Sequence, residues 1–220
     1  MYRSFCDLIN RHPSDVKTIK DIPFLPIQFF KTHQILSSKE RTEKTFTSSG
    51  TTGSLTSSHH ITDLDIYEQS FINGFKYFYG NIEDYTILAL LPSYLERKGS
   101  SLIYMVEDLI EKSKSKESGF YLNNISELKS NLIRLDFEEK KVLLIGVSYA
   151  LLDLVEAHKF NLENTIIMET GGMKGRRKEL VRSELHMILK EGFGVKNIHS
   201  EYGMTELLSQ AYSKKNGIFD

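Results

Sequence analysis

The chain has 220 residues, 40% of them hydrophobic and 26% charged, with a formal net charge of −1 at pH 7. This is the make-up of an ordinary soluble globular protein with enough chain for one sizeable core, and it offers no global field for nucleic acid or an anionic membrane. No run approaches the about 18 apolar residues of a membrane span, the first residues (MYRSFCDLIN) carry no apolar signal-peptide region, and the single cysteine, Cys6, cannot form an internal disulfide. A cytoplasmic protein is expected, with Cys6 an incidental or buried thiol rather than a nucleophile.

Residues 1–40 contain Pro13, Pro23 and Pro26 and predict a lead-in of short helices and extended pieces; residues 41–220 predict the nucleotide-binding α/β domain. After Phe46 comes Thr47-Ser48-Ser49-Gly50-Thr51-Thr52-Gly53-Ser54-Leu55-Thr56-Ser57-Ser58, in which every residue but Leu55 is Ser, Thr or Gly. A loop this small and hydroxyl-rich can point N–H and O–H groups inward around phosphate oxygens; its composition equally allows a flexible linker. His59-His60 read as surface residues at a helix entry. Residues 63–79 predict that helix, with Ile66, Phe71, Phe75 and Phe78 on a core-facing side.

Residues 85–91, ended by Pro92, predict a buried strand. Helices are predicted over 100–112, 125–139 and 148–158, a polar loop over 113–119, and strands over 141–147 and 165–169. Gly171-Gly172 then makes a close-approach turn, a common feature by itself. A long helix is predicted over 175–191. Lys174, Arg176, Arg177 and Lys178 would stand at its start, where cations oppose the helix dipole and an anionic partner would relieve the cost; a solvated basic face is the plain alternative. Residues 195–198 predict the start of a strand running into His199-Ser200-Glu201-Tyr202-Gly203-Met204-Thr205-Glu206. The alternation of strands and helices predicts an α/β fold with a mainly parallel, helix-covered sheet. All three small-residue motifs would then lie just past strand ends, where such sheets bind ligands.

In the last motif Gly203 permits a sharp turn. Tyr202 offers a flat face for a base, Thr205 a hydroxyl for a phosphate, and Glu206 a carboxylate for Mg2+. His199 is a further candidate for lining the site. No histidine pair has a cysteine or carboxylate partner at zinc-site spacing. No Gly-x-Ser-x-Gly points to a hydrolase, and no Gly-Lys-Ser/Thr follows Gly50 as a P-loop nucleotidase requires.

In order and spacing, Ser48-Ser49-Gly50-Thr51-Thr52-Gly53, Gly171-Gly172 and Tyr202-Gly203-Met204-Thr205-Glu206 together resemble the adenylate-forming superfamily of acyl-CoA synthetases and related ligases. Many members follow the phosphate loop with Pro-Lys; Leu55-Thr56 here is closer to the phenylacetate-CoA ligase branch. Ile22-Pro23-Phe24-Leu25-Pro26 with Phe30-Lys31, residues 168–177 (METGGMKGRR) and residues 202–210 (YGMTELLSQ) are similar to the acyl-protein synthetase family of bacterial luminescence. The resemblance runs from about Ile22 to Tyr212.

The resemblance implies an enzyme that uses ATP and Mg2+ to activate a carboxylic acid, expected to be a fatty acid, as acyl-AMP. The acyl group would then pass to a thiol on an acyl carrier or acyl-transfer protein. It implies that Ser48, Ser49, Gly50, Thr51, Thr52 and Gly53 hold the β- and γ-phosphates. Gly171 and Gly172 would lie against adenine and the acyl group, with Tyr202 and Gly203 also on the nucleotide. Thr205 would reach the α-phosphate and Glu206 would hold the metal, these two being the catalytic residues. Residues 91–101 are expected beside the acyl pocket. Two alternatives stay open: a non-catalytic nucleotide-, acyl- or partner-binding module derived from this fold, and an aryl- or acyl-CoA ligase. Family members continue past the third motif with a ribose-binding Asp, a hinge and a small lid domain, and the luminescence enzymes carry an acyl-accepting Cys there. With its last residue at Asp220, the chain is expected to be the N-terminal part of such an enzyme and not fully active alone.

Overall fold

The computed structural model describes residues 2–36, 38–49, 55–92, 97–173 and 175–219. The lead-in is made of short pieces, as its prolines suggest: α1 (Tyr2–Leu8), single 3-10 turns at Pro13–Asp15 and Ile19–Asp21, and α2 (Phe29–Thr32). None of these elements buries a residue. Phe30 ties the lead-in to the rest of the fold, its ring edge-on to His59 at 5.3 Å between centroids.

β1 (Lys44–Thr47) and β2 (Ser58–Ile61) pair antiparallel, with Thr47 opposite Ser58. The hydroxyl-rich stretch is therefore the connection of a two-stranded hairpin that stands apart from the main sheet. It does not lead directly from a strand into a helix. α3 (Leu64–Tyr79) buries Tyr67, Phe71 and Phe75, a spacing of four that keeps one stripe on the core. Ile66, expected on that stripe, is 55% exposed. One residue is about 100° of helix rotation, so placing Tyr67 inward turns Ile66 out.

The main sheet begins with β3 (Thr86–Leu90), followed by α4 (Ser101–Ser113), β4 (Gly119–Phe120), α5 (Ile125–Phe137), β5 (Val142–Val147), α6 (Ser148–Ala157), β6 (Thr165–Thr170), α7 (Arg182–Phe193), β7 (His199–Gly203) and β8 (Gln210–Ser213). Its order is β4-β3-β5-β6-β7-β8. The first five strands are parallel and β8 runs antiparallel to β7, which is the helix-covered α/β architecture the sequence pattern predicts. β3 and β5 are buried at every position, the mark of strands covered on both faces. Leu144 has no exposed surface at the centre of β5, and truncating such a residue to Ala costs about 2–5 kcal/mol.

Three local expectations are corrected. α7 begins at Arg182, seven residues later than predicted, because Gly175 takes a left-handed φ of 71° and the following residues are drawn into tertiary contacts. Among those contacts, Glu179 Oε1 accepts from the Met173 amide at 3.2 Å. Residues 195–198 are not strand: the Val195 amide bonds back to the Lys190 carbonyl at 3.2 Å and helps end α7, so β7 starts only at His199. The predicted polar loop 113–119 is partly internal: Ser113 is buried as the last residue of α4, and Ser118 Oγ accepts from the β3 amide of Ile87 at 2.9 Å.

Candidate active site

A cleft of about 500 Å3 opens at the carboxyl ends of β6 and β7 and is walled on one side by the base of the β1–β2 connection. Ser48, Ser49, Gly171, Gly172, Tyr202, Gly203, Thr205 and Glu206 all line it. Sequence segments more than 150 positions apart are thus gathered on one cavity. Gly50, Thr51, Thr52 and Gly53, the rest of the expected phosphate loop, lie outside the described residues.

Each wall has a local cause. The loop between β1 and β2 is pinned at its base: the Ser48 amide donates to the Ser57 carbonyl at 3.0 Å, and Ser48 Oγ accepts from the Ser57 amide at 2.9 Å. The Thr47 amide donates to the Gly99 carbonyl at 2.7 Å. Gly99 has φ of 83°, and a Cβ there would stand 2.8 Å from Thr47 Oγ1. Only glycine admits both that backbone and that approach. Gly171 leaves β6 with φ of 66°, and Ser148 Oγ, at the start of α6, fixes the turn by donating to the Gly171 carbonyl at 2.8 Å. Tyr202 and Gly203 are the last residues of β7, paired with Ala211 and Gln210 of β8. Thr205 and Glu206 therefore sit in the hairpin connection, which is tightened by the Leu207 amide donating to the Met204 carbonyl at 3.0 Å.

One residue joins the two hairpins. His59 Nδ1 lies 2.9 Å from the Thr205 carbonyl oxygen. Burial is the main cause of its lowered pKa, opposed by the Thr205 bond and the nearby Glu206. A neutral ring with its proton on Nδ1 can donate to that carbonyl. The sequence expectation of a surface histidine at a helix entry is corrected: His59 lies in β2 and braces the third motif.

The floor of the cleft holds two carboxylates that sequence reasoning did not single out, although each adjoins a motif. Glu169 and Glu201 are 4% and 5% exposed. Glu201 Oε2 accepts from Thr170 Oγ1 at 2.5 Å. Burial chiefly pushes its pKa up from 4.5 to about 7, with Glu169 adding to the rise and the Thr170 bond opposing it. Glu169 faces the other side of the sheet, where Oε1 lies 3.5 Å from Arg182 Nε and 3.5 Å from His186 Nε2. Gln210 Nε2 donates to the Tyr67 hydroxyl at 3.2 Å, which itself donates to the Ser101 carbonyl at 3.1 Å. Gln210 Oε1 is buried with no hydrogen-bond partner among the described residues.

Residues 1–93 match the family model for the acyl-protein synthetase, LuxE. The matched span includes the lead-in, both strands of the β1–β2 hairpin, α3 and β3, with Ser48 and Ser49; it does not reach Gly171 or the Tyr202–Glu206 motif. No curated protein matches the chain. Among the described residues, no helix is long and apolar enough to cross a membrane.

Two expected participants lie elsewhere. His199, at the amino end of β7, lines a different surface cavity with Thr165 and Asn197. Its ring lies tilted against that of Tyr79, 5.8 Å between centroids, with Nδ1 3.2 Å from the Tyr79 hydroxyl, and burial lowers its pKa to about 4. The basic cluster is not at a helix start. Arg177 is paired with Asp153 and Glu156, Arg176 lies over the Tyr149 ring at 4.7 Å, Lys178 is exposed, and Lys174 lies outside the described residues. A second cavity, of about 650 Å3, adjoins the cleft through Arg97, which lines both. It lies past the carboxyl ends of β3, β4 and β5, where the strand order reverses.

The charges along the cleft bear on what it can hold. Glu169, Glu201 and Glu206 line it together with Arg97 and Arg182, so a polyanion would need compensating cation. No cluster of three or more His, Cys, Asp or Glu among the described residues could cage a metal. Magnesium that travels with a nucleotide needs no cage; it takes one or two carboxylates and the phosphate oxygens. Glu206, half-buried in the cleft wall, fits that demand.

Proposed function

We propose that this chain carries the adenylating site of an acid–thiol ligase of the acyl-protein synthetase type, with residues 41–220 as its nucleotide-binding domain. One observation carries the reading: Ser48 and Ser49 from the first motif, Gly171 and Gly172 from the second and residues 202–206 of the third line one cleft at the carboxyl ends of parallel strands. The match over residues 1–93, which takes in the first of these motifs but not the other two, also supports it.

In this reading Tyr202 packs against the base, and Gly171 and Gly172 let the nucleotide lie close to the backbone. Ser48 and Ser49, with Gly50 to Gly53, hold the β- and γ-phosphates through hydroxyls and amides. The Thr205 hydroxyl donates to an α-phosphate oxygen, positioned by the His59 bond to its own carbonyl. Glu206 would hold Mg2+, whose part is to neutralise charge on the phosphates. A carboxylate oxygen of the acid attacks the α-phosphorus, the bond to the bridging oxygen breaks, and pyrophosphate leaves. In the second step a thiolate attacks the acyl carbon and AMP leaves with the bonding electrons. Such chemistry rests on positioning and charge stabilisation rather than on a protein nucleophile. The thiol belongs to an acyl carrier or acyl-transfer protein.

Calorimetric titration with Mg-ATP tests the site. Binding is expected for the wild type and weakened at least tenfold in Thr205→Val. Equal binding by the two proteins would remove the third motif from the nucleotide site.

A further inference from the structure

We propose that Arg182 is a nucleotide-binding residue of this cleft, its guanidinium pairing with the α-phosphate of ATP and then of the acyl-adenylate. The proposal rests on the adenylating function above and names a residue that lies outside all the motifs.

The need arises from the charges. The described lining holds the carboxylates Glu169, Glu201 and Glu206, with Arg97 and Arg182 as its cations. When a carboxylate attacks the α-phosphorus, negative charge builds on the α-phosphate oxygens and on the departing pyrophosphate. A cation already fixed beside them stabilises that charge without having to reorganise.

Arg182 has the form of such a cation. Its side chain is 47% exposed, so a ligand can reach it, and its Nε lies 3.5 Å from Glu169 Oε1. The guanidinium carbon stands 5.1 Å from the centroid of the Phe219 ring, an attractive placement for a cation. The chain passes close to the arginine stem at Gly217, whose φ is 65° and where a Cβ would collide with Arg182 Cδ. Glu169 is itself held: His186 Nε2 lies 3.5 Å from Oε1, and Ser148 Oγ donates to Oε2 at 3.4 Å. This anchoring occupies Nε. The terminal amino groups of Arg182 have no hydrogen bond or ion pair among the described residues. A fork fixed at its stem with its tips unused is preorganised for an oxyanion, which it can grip through parallel N–H donors. Helix stability does not explain the residue, because as the first residue of α7 a cation opposes the helix dipole.

The position of Arg182 favours the α-phosphate over the others. Phe219, against which the guanidinium lies, also meets the Tyr202 ring edge-on, 6.1 Å between centroids. Glu169, which holds Nε, stands just before Gly171 and Gly172 in the chain. Arg182 is thus placed beside the residues assigned to the base, and the α-phosphate is the phosphate nearest the base. Ser48 and Ser49, assigned to the β- and γ-phosphates, belong to the other hairpin.

Ligand-observed NMR titration of the chain with adenosine, AMP and Mg-ATP tests this. The wild type should prefer AMP to adenosine by about tenfold or more. Arg182→Gln should lose about tenfold or more in affinity for AMP and for Mg-ATP, the scale of one charge-assisted hydrogen bond, while adenosine affinity stays within about twofold. Arg182→Lys keeps the charge and loses the fork. It should weaken AMP by a smaller factor and leave adenosine unchanged, and it carries the comparison should the glutamine variant unfold. Unchanged AMP affinity in both variants, or a wild type with no preference for AMP, overturns the proposal and leaves the adenylating function standing. An equal loss for adenosine and AMP also overturns it, since that is the mark of an arginine that only braces Glu169. A loss confined to Mg-ATP overturns the assignment to the α-phosphate. Binding of none of these ligands by the wild type removes the nucleotide site, and the proposal falls with it.

Discussion

Glu201→Gln should remove a pH dependence from the stability of this protein. Glu201 is 5% exposed, and burial raises its pKa from 4.5 to about 7. A raised carboxyl pKa means the fold disfavours the charged form. Below pH 4.5 the group is protonated in both folded and unfolded chains and costs nothing. As pH rises from there the unfolded chain ionises first, so stability falls, and the loss is complete above about pH 7. The difference of 7 − 4.5 = 2.5 units corresponds to about 3 kcal/mol. Glutamine keeps the shape and stays neutral. The charged and titratable groups around Glu201 are Glu169 across the strand pair and the buried hydroxyls of Tyr67 and Tyr212. Glu169 keeps its Arg182 and His186 neighbours in both proteins, so the difference between them reports Glu201. Urea unfolding of wild type and variant should give a stability gap that widens in favour of the variant by about 2–3 kcal/mol between about pH 5 and pH 8.5. A gap constant over that range would show that Glu201 is not held protonated by the fold.

Glu206→Gln should lower pyrophosphate exchange by about 100-fold or more, the scale of losing a metal's charge stabilisation; a wild-type rate would take Glu206 out of the metal site. His59→Phe keeps the ring but loses the bond to the Thr205 carbonyl, so it should cost about 0.5–1.5 kcal/mol of stability and raise the KM for ATP. Melting and initial-rate measurements check both parts, and an unchanged KM would mean that the two hairpins position the site independently. Gly192→Ala should destabilise by about 1–3 kcal/mol through overpacking, because its Cβ would meet Val155 Cβ at 2.4 Å; Val155→Ala in the same chain should recover most of the loss, and failure to recover would show that α6 and α7 do not meet there. Arg177→Glu breaks pairs with half-exposed Asp153 and Glu156, so thermal unfolding should move by no more than about 1 kcal/mol and pyrophosphate exchange should be unaffected; a large fall in exchange would return this arginine to the catalytic cycle.

The features legible in the sequence are those set by local pattern. The continuous apolar runs of β3 and β5 announce doubly covered strands, and the Gly-rich turns mark their carboxyl ends. Phe71 and Phe75 give the buried stripe of α3, yet periodicity alone could not choose Tyr67 over Ile66 as its third member. The late start of α7 depends on Gly175 and on contacts with residues of α6, which are not neighbours in sequence. The hydroxyl-rich stretch was readable as a tight loop, but its placement in a hairpin depends on β2, whose Ser-His-His-Ile sequence gives little strand signal. Glu169 and Glu201 were overlooked for the same kind of reason. A glutamate reads as a surface residue until tertiary packing removes its water, and only then does its pKa, and its place on the cleft floor, become visible. His59 is the counterpart case: its partner is a carbonyl 146 positions away.

The most direct measurement of adenylation is the product distribution when the chain is incubated with Mg-ATP and each of a set of carboxylic acids, quenched, and analysed by mass spectrometry. Attack at the α-phosphorus predicts acyl-AMP with an equal amount of pyrophosphate, formed only when the acid is present and suppressed in Glu206→Gln. ADP and inorganic phosphate, or no acid-dependent product, would contradict an adenylating site in this cleft.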